Sequence, residues 1–293
     1  MGQIESGDLG CECSGVVSKV GPHVQSLAIG DRVMATADGL FSTSVRLPEL
    51  AVFKIPEAMT FETAATIPVA YGTAYHSLKA ARLSKEDTVL IHASTGALGQ
   101  ALIMMCQNVG ARILATVGTS EKKAFLINQL DIPEEQIFYS RDSSFKQGVM
   151  CATDGKGVDV IFNSLSSELQ RVTWECIAPF GRFIELGKRD FTVNSRLEQA
   201  QFLNNVTFIG LDFRHMTIAR PQYNREAFEG YMDLIQQGKL KTLQPISIYG
   251  LGEVEKAFRT MQSGKHIGKL VIMAKEGEHA KVNTEKAHRA VCC

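Results

Sequence analysis

The 293-residue sequence lacks the features that mark membrane, secreted and nucleic-acid-binding proteins. It contains no run of about 18 apolar residues, so no membrane-spanning helix is predicted. No basic segment followed by an apolar one opens the chain, so no secretion signal is predicted. Lysine and arginine number 31, and aspartate and glutamate also number 31. Without a net positive charge there is no general attraction for nucleic acid, and we expect a cytoplasmic protein that binds neither membrane nor nucleic acid.

Cysteine is scarce, and its seven residues are scattered along the chain. An odd number at wide spacing does not fit the disulfide framework of a small secreted domain. Structural zinc usually takes four ligands supplied as two close pairs. Cys11 and Cys13 form one such pair, and no second pair follows at a useful spacing. The sequence therefore predicts reduced thiols and no metal site.

Strands and helices alternate through the middle of the chain. Six apolar runs are predicted strands, at residues 88–93, 112–117, 137–138, 158–162, 183–186 and 206–211. The first run is followed by residues 98–109, which have helical apolar spacing, and Gly110 then ends the helix. Repeated strand and helix units of this kind predict an α/β fold with a doubly wound parallel sheet of the Rossmann type.

The two ends of the chain differ from this middle part. Residues 1–56 contain short β-branched runs at 15–20 and 31–35, bounded by glycine and proline, and predict a β-rich unit. A helix-favouring stretch at 60–79 follows, and we expect Pro68 and Gly72 to interrupt it. After residue 214 the pattern predicts helices at 226–237 and 254–264 and a strand at 269–273. The polar residues 275–293 lack periodicity and are predicted to be disordered.

A glycine-containing turn joins the first predicted strand to its helix. It reads His92-Ala93-Ser94-Thr95-Gly96-Ala97-Leu98-Gly99. Gly96 and Gly99 let the backbone approach a pyrophosphate at the helix N-terminus. The turn has fewer glycines than G-x-G-x-x-G, so a tight turn without a ligand is the alternative. We predict dinucleotide binding, with Ala93, Gly96 and Gly99 at the cofactor.

The residues after the second predicted strand indicate which dinucleotide binds. An NAD site needs an acid about 20 residues after the glycines, and the nearest acid, Glu121, is expected to begin a helix instead. The residues expected around a 2′-phosphate are Gly118, Thr119, Ser120 and either Lys122 or Lys123. Arg141, after the third strand, is a further phosphate partner or else a solvated arginine. These residues favour NADPH.

Five motifs in order resemble a known family. They are Gly10-Cys11-Glu12-Cys13-Ser14-Gly15, Ala93-x-x-Gly96-x-x-Gly99, and the segments 157–165, 179–190 and 266–271. Residues 1–274 are similar to the zinc-independent enoyl reductase domains of the medium-chain dehydrogenase/reductase superfamily. Within this superfamily the resemblance is to the domains of polyketide synthases and of animal-type fatty acid synthases. The domains of fungal reducing polyketide synthases look most similar. The resemblance implies a partial GroES-like β-rich catalytic domain (1–68 and 214–274) and a Rossmann NADPH-binding domain (69–213).

The resemblance also implies an activity and its residues. The family reduces the α,β double bond of acyl thioesters on a carrier protein, which implies polyketide or fatty acid biosynthesis. Lys188 and Asp212 fall on the family's suspected catalytic positions, although Lys188 has the alternative of a solvated lysine and Asp212 that of a partner for Arg214. The resemblance places Asn163, Ser164 and Leu165 beside the nicotinamide. A homodimer through residues 206–211 is also implied.

One departure from the family concerns the start of the chain. Only nine residues precede Gly10, where relatives have several dozen. We therefore expect either a piece of a longer polypeptide or a truncated remnant with doubtful activity. Two other functions stay open on the sequence: a free-standing quinone or enone oxidoreductase, and a non-catalytic remnant.

Overall fold

The computed structural model describes residues 9–274, so the predicted disorder of residues 275–293 lies outside the described residues. The strands are β1 (Glu12–Val16), β2 (Arg32–Thr36), β3 (Val52–Lys54), β4 (Thr88–Ile91), β5 (Arg112–Val117), β6 (Ile137–Tyr139), β7 (Val158–Asn163), β8 (Ile177–Glu185), β9 (Thr207–Gly210), β10 (Ile246–Gly250) and β11 (Lys269–Met273). The α-helices are α1 (Phe61–Ala64), α2 (Pro68–Ala81), α3 (Ala97–Val109), α4 (Ser120–Leu130), α5 (Phe145–Ala152), α6 (Glu168–Trp174), α7 (Arg189–Thr192), α8 (Phe213–Ala219), α9 (Pro221–Gln236) and α10 (Val254–Gln262). Within residues 9–274, no helix has the length and apolar character needed to cross a membrane.

Six strands form one parallel sheet in the order β6-β5-β4-β7-β8-β9. The order reverses between β4 and β7, which is the arrangement of the doubly wound Rossmann fold. The inner strands are apolar because helices cover both faces, and Val89, Leu90 and Ile91 of β4 are fully buried. The predicted fold class is confirmed, and each of the six predicted strands is present.

Helix α3 ends where the sequence predicted. Gly110 has a φ of 90°, and its backbone N–H donates to the carbonyl oxygens of Cys106 and Gln107 at 3.0 Å. Glycine adopts this left-handed conformation without the steric cost that a side chain brings. The short link from Gly110 to β5 then places β5 directly beside β4 in the sheet.

The expected interruption of the first long helix at Gly72 is wrong. Pro68 occupies the first turn of α2, where its missing N–H costs nothing, and the helix continues through Gly72 to Ala81. The reason is tertiary contact, because a Cβ atom at Gly72 would lie 2.3 Å from the ring of Phe213. Gly72 therefore gives Phe213 room to pack against α2. Strand β10 and helix α8 were not predicted.

The β-rich unit consists of two small sheets. Strands β1, β2 and β3 pair antiparallel, and β10 pairs with β11 in parallel. Assigned strand β1 ends at Val16, earlier than the predicted run to residue 20. The ring of Phe228 on α9 stacks on Phe53 of β3 with centroids 4.2 Å apart. This small antiparallel sheet is the GroES-like part of the predicted fold, and the domain boundaries stay a prediction.

Hydrogen bonds hold the β10–β11 part against the turn after β4. The Gln100 side chain on α3 donates to the Gln244 carbonyl oxygen at 2.7 Å and accepts from the Gln244 N–H at 3.2 Å. The Gly268 N–H donates to the Thr95 carbonyl oxygen at 2.9 Å. Gly268 has a φ of 71°, and a Cβ there would lie 2.0 Å from the Pro245 carbonyl oxygen. The two units therefore meet at the predicted phosphate-binding turn.

Candidate active site

The predicted site residues lie along one edge of the parallel sheet. They follow the carboxyl ends of β4 to β9 in turn, from Ala93 after β4 to Asp212 after β9. Because all six strands are parallel, these ends share one edge, which is where open α/β sheets bind their ligands. The edge thus has two parts, a turn-rich part around β4 and β5 and a charged part around β8 and β9.

The turn after β4 has the shape of a pyrophosphate cradle. Ala93 has a φ of 50°, which turns the chain sharply at the strand end. Gly96 is the N-cap of α3, and the first-turn amides of a helix have no intrahelical acceptor. A Cβ atom at Gly99 would lie 2.5 Å from the Ala93 carbonyl oxygen, so only glycine lets the helix pack this closely on the turn. These features fit a dinucleotide.

A buried histidine supports this turn and was not predicted. One ring nitrogen of His92, Nδ1, lies 2.8 Å from Thr116 Oγ1, and the other, Nε2, lies 3.1 Å from Thr173 Oγ1. Burial lowers the pKa of His92 to about 3, so the ring is uncharged at neutral pH. Its role is to link β4, β5 and α6. The available signal was a polar residue within an apolar strand.

Four predicted phosphate-binding residues lie at the neighbouring ends of β5 and β6. Among residues 9–274, apart from the two adjacent ones, no atom lies within 4 Å of the position that a Cβ would occupy at Gly118, so the backbone is open there. Arg141 Nε donates to the Gly118 carbonyl oxygen at 2.5 Å, and Thr119 caps α4 by accepting from the Lys122 N–H at 3.3 Å. Ser120 is exposed at the start of α4. This cluster of donors and open backbone fits a 2′-phosphate.

The structure separates the two candidate lysines. Lys122 Nζ donates to the Gly264 carbonyl oxygen at 2.7 Å, and burial lowers its pKa. Lys123 instead pairs with Glu134 at 3.2 Å. Burial and the charge of Lys122 lower the pKa of His266, whose buried Nδ1 has no hydrogen-bond partner among residues 9–274. Lys122 thus contacts the same loop, residues 264–268, whose Gly268 N–H binds the Thr95 carbonyl oxygen of the turn, whereas Lys123 binds Glu134.

Asn163 is buried and acts through the loop that follows it. Its side-chain amide donates to the Leu165 carbonyl oxygen at 2.9 Å and to Glu185 Oε2 at 2.6 Å, and its oxygen accepts from the Leu165 N–H at 3.2 Å. These contacts fix the conformation of the turn that carries Ser164, which is exposed. Asn163 thus shapes the loop where the nicotinamide is expected.

Glu185, at the end of β8, joins this loop to the next one and was not predicted. It accepts from Asn163, from Gln170 Nε2 at 2.7 Å and from the Gly187 N–H at 2.7 Å. Burial raises the pKa of Glu185, and the three hydrogen bonds oppose that rise. The signal was an acid inside the apolar run of β8. Because Gly187 directly precedes Lys188, the hydrogen bond from Gly187 to Glu185 fixes the backbone position of Lys188 after β8.

Lys188 and Asp212 form an ion pair. Lys188 Nζ donates to Asp212 Oδ1 at 2.7 Å, and 41% and 43% of the two side chains are exposed. Asp212 also caps α8 by accepting from the His215 N–H at 3.3 Å. Burial alone would raise the pKa of Asp212, but the hydrogen bond and charge of Lys188 bring it below its ordinary value. The pair can hold an anion and carry a proton beside it.

The alternative in which Asp212 pairs with Arg214 is wrong. Arg214 makes a bidentate contact with Asp38, from Nε at 2.6 Å and from a terminal nitrogen at 2.5 Å. Asp38 follows β2 in the small antiparallel sheet, so this pair joins α8 to that sheet. Three successive residues therefore anchor α8 in three directions, with Phe213 buried against α2 between the two charged residues.

The surroundings of Cys11 do not fit a zinc ligand set. Burial and the charge of Glu12 raise the pKa of its thiol, and two cations, Lys269 and Lys188, act in the opposite direction. Within the described residues, no group of three or more histidine, cysteine, aspartate or glutamate side chains comes together as metal ligands. Glu12 itself binds the Val69 N–H of α2 at 2.9 Å and Lys269 of β11. The glutamate of this motif thus has a structural role.

Two family models match parts of the chain, one of them in the β-rich unit and the other across the second half of the chain. The alcohol dehydrogenase GroES-like domain matches residues 5–57, and the zinc-binding dehydrogenase model matches residues 134–272. Among solved structures, the CurK enoyl reductase is similar with a TM-score of 0.82 and 34% identity over 92% of this chain and 79% of that one. The CurF enoyl reductase cyclopropanase gives 0.83 and 31% over 91% and 78%. The chain belongs to the polyketide-type enoyl reductases of the medium-chain dehydrogenase/reductase superfamily.

Curated relatives of this chain are larger fungal enzymes, and it matches one region of each. The highly reducing polyketide synthase tstA of Talaromyces stipitatus is 50% identical over 283 residues, which is 96% of this chain and 11% of that synthase. The chain thus spans about a tenth of the length of such relatives. It is an oxidoreductase of this superfamily, with homologues in polyketide synthesis, and the expected resemblance is confirmed.

Proposed function

We propose that this chain is an NADPH-dependent, zinc-independent enoyl reductase that reduces the α,β double bond of acyl thioesters carried by an acyl carrier protein. The observation that carries the proposal is the ion pair between Lys188 and Asp212 at the carboxyl edge of the sheet. The fold alone does not decide the reaction, because one similar structure is named an enoyl reductase and another a cyclopropanase. The proposal therefore rests on the side chains at the edge.

The proposed cofactor residues are those gathered after β4, β5, β6 and β7. The cradle formed by Ala93, Gly96 and Gly99 would hold the pyrophosphate at the N-terminus of α3. The open backbone at Gly118 would admit the 2′-phosphate, and its donors and cations would be Thr119, Ser120, Lys122 and Arg141. Asn163, through Ser164 and Leu165, would shape the nicotinamide end.

When bound, NADPH supplies the hydride that adds to the β-carbon of the enoyl thioester. Negative charge then develops on the thioester oxygen, and a preorganised cation at that point lowers the barrier. We assign this cation to Lys188 Nζ, which also passes a proton to the α-carbon. Asp212 holds the ammonium in place.

The relatives support a proposal for the setting of the reaction. Because the matched relatives are synthases of which this chain spans about a tenth, we propose a polyketide synthase as the parent or partner. We further propose residues 69–213 as the NADPH-binding domain, and residues 1–68 with 214–274 as the catalytic domain. Strand β9 lies at the edge of the six-stranded sheet, and we propose this edge, residues 206–211, for a homodimer.

The test is NADPH oxidation by the chain with a crotonyl pantetheine thioester, followed at 340 nm, with a quinone as the competing acceptor. We expect turnover of the thioester and a lower kcat/KM for the quinone. Preference for the quinone would instead support the quinone or enone oxidoreductase. If NADPH bound with its usual thermal stabilisation but neither acceptor was reduced, the proposed activity would be wrong, and a binding remnant would stand in its place.

A further inference from the structure

Four charged side chains alternate in sign across the charged part of the site. In order they are Asp38, Arg214, Asp212 and Lys188, and the two contacts that the structure shows are Asp38 with Arg214 and Asp212 with Lys188. Asp38 comes from the loop after β2, Lys188 from the loop after β8, and the middle two from the first turn of α8. The array therefore spans from one unit to the other through α8.

Both cations of this array interact with the Asp212 carboxylate, Lys188 through an ion pair and the Arg214 guanidinium through its charge alone. Arg214 lies two residues after Asp212, and its pKa is raised by Asp38 first and also by the charge of Asp212. A guanidinium holds a carboxylate with two parallel hydrogen bonds, whereas an ammonium holds it as a point charge. An unpaired Arg214 would therefore displace Lys188 from Asp212.

We infer that Asp38 is a positioning residue: by binding Arg214 it keeps Asp212 free to hold Lys188. Among the hydrogen bonds of the described residues, Asp38 and Arg214 bind each other and not Lys188. The charges of Asp38 and Lys188 also act on each other, and we assign the choice of partner to Asp212. The inference rests on the proposed function for its kinetic consequence only. Its structural consequence, the choice of partner by Asp212, can be measured without any substrate.

The contacts of α8 limit how the site can respond to the loss of Asp38. Phe213 is buried against α2 at Gly72, so the first turn of α8 cannot shift freely when one charged contact is lost. Asp212 also accepts the His215 N–H, which keeps its carboxylate at the helix start. With the backbone fixed, loss of Asp38 leaves side-chain rotation of Arg214 toward Asp212 as the available response.

The experiment compares Asp38→Asn, Arg214→Gln and the double variant in the full 293-residue chain. Limiting acetic anhydride labels lysines, and peptide mass spectrometry reads Lys188 against Lys146. Lys146 is a suitable internal reference because it pairs with Glu175 at 40% side-chain exposure. We expect Asp38→Asn to raise Lys188 labelling by about two- to fivefold, as for release from an exposed ion pair. The double variant should return to the level of Arg214→Gln.

The kinetic measurement runs in parallel. Asp38→Asn should lower kcat for the thioester by about 10- to 100-fold, as a misplaced reacting group does, with little change in the KM for NADPH. Removing Arg214 as well should restore kcat to that of Arg214→Gln, because the competing cation is gone. If the ion pair of Asp38 and Arg214 only stabilised the fold, removing Arg214 as well would not restore kcat in the Asp38→Asn variant.

Asp38→Glu is the control that separates the proposed effect from a folding defect. It keeps a carboxylate for Arg214 and should label like the wild type, and urea unfolding of each variant establishes that it is folded. Unchanged Lys188 labelling in Asp38→Asn, or a double variant that keeps the single variant's defect, overturns the inference. Raised labelling with an unchanged kcat also overturns it. If the wild type reduces no thioester, the proposed function fails, and the labelling result decides the inference by itself.

Discussion

Two polar networks lie at neighbouring strand ends of the same sheet, and they differ in burial. The Glu185 network is enclosed and is satisfied by neutral donors from Asn163, Gln170 and Gly187. Lys188 lies three residues after Glu185, and its partner Asp212 follows the neighbouring strand β9. Both side chains of this pair are almost half exposed. The first is inaccessible to a substrate, and the second is open to one.

Burial decides what each network contributes. A buried acceptor that is removed leaves its donors without water, so its loss costs stability. An exposed ion pair contributes little to folding because water screens it, so it is free to be arranged for chemistry. We therefore assign a role in folding to the Glu185 network and a role in turnover to the Lys188 pair, and four substitutions test this assignment.

The largest effect is expected on turnover from Lys188→Met. Loss of the cation that faces the developing negative charge should lower kcat by about 10²- to 10³-fold, while the free energy of unfolding changes by less than about 1 kcal/mol. Steady-state kinetics and urea unfolding measure the two quantities. Lys146→Met is the matched control, because its pair with Glu175 has nearly the same exposure. Equal loss of kcat in both variants would remove Lys188 from the site.

The next effect is expected on stability from Glu185→Leu. Three donors lose their acceptor in a buried place, so the free energy of unfolding should fall by about 2–3 kcal/mol. The urea midpoint measures it, with the m-value checked for two-state behaviour. Glu168→Leu, at an exposed glutamate whose contact with Arg171 is 3.8 Å long, should change stability by less than about 0.5 kcal/mol. A stable Glu185→Leu variant would contradict the comparison.

A smaller effect is expected on cofactor choice from Lys122→Met. Loss of a cation beside the proposed 2′-phosphate site should weaken NADPH binding about tenfold, which corresponds to about 1.4 kcal/mol. NADH, which has no 2′-phosphate, should bind as before. Fluorescence titration of both dinucleotides measures this change. Lys123→Met is the control, since Lys123 pairs with Glu134. If only Lys123→Met lost affinity for NADPH, the 2′-phosphate would bind at Lys123 and the assignment to Lys122 would be wrong.

The smallest effect is expected in the pH dependence of Asp38→Asn. The hydrogen bond from Arg214 lowers the pKa of Asp38, although burial opposes it. A carboxyl whose pKa is lower in the folded state adds stability above its unfolded value of about 3.9 and loses it as pH falls through the folded value. The wild type should therefore exceed Asp38→Asn by less than about 1 kcal/mol at neutral pH. This difference in urea stability should shrink below about pH 4, and one that grew toward low pH would contradict the assignment.

The sheet could be predicted from sequence because its information is local. Each strand is an apolar run, and the turn at Gly96 and Gly99 is contiguous, so periodicity and turn chemistry were sufficient. Gly72 was misread because its reason is distant: the ring of Phe213 lies where its Cβ would be. A helix-breaking residue looks the same in sequence whether it ends a helix or makes room for a neighbour.

The site was predictable only in part for the same reason. Lys188 and Asp212 followed from the family resemblance, but their contact and the competing pair of Asp38 with Arg214 join residues as many as 176 positions apart. Glu185 was visible in sequence as an acid in an apolar run, but its partners were not, because they come from the end of β7, from α6 and from the residues after β8. Contacts between residues so far apart along the chain depend on the topology of the fold, and the local sequence around each residue does not specify it.

The most direct test of Lys188 and Asp212 as the reducing site uses NADPH with deuterium at the transferred position and a crotonyl pantetheine thioester. Mass spectrometry and NMR of the product locate the label. We predict a butyryl thioester with the cofactor's deuterium on the β-carbon and a solvent-derived proton on the α-carbon, formed about 10²- to 10³-fold more slowly by Lys188→Met. Deuterium retained by the cofactor while the thioester stays unsaturated, or wild-type speed in Lys188→Met, would contradict this account of the site.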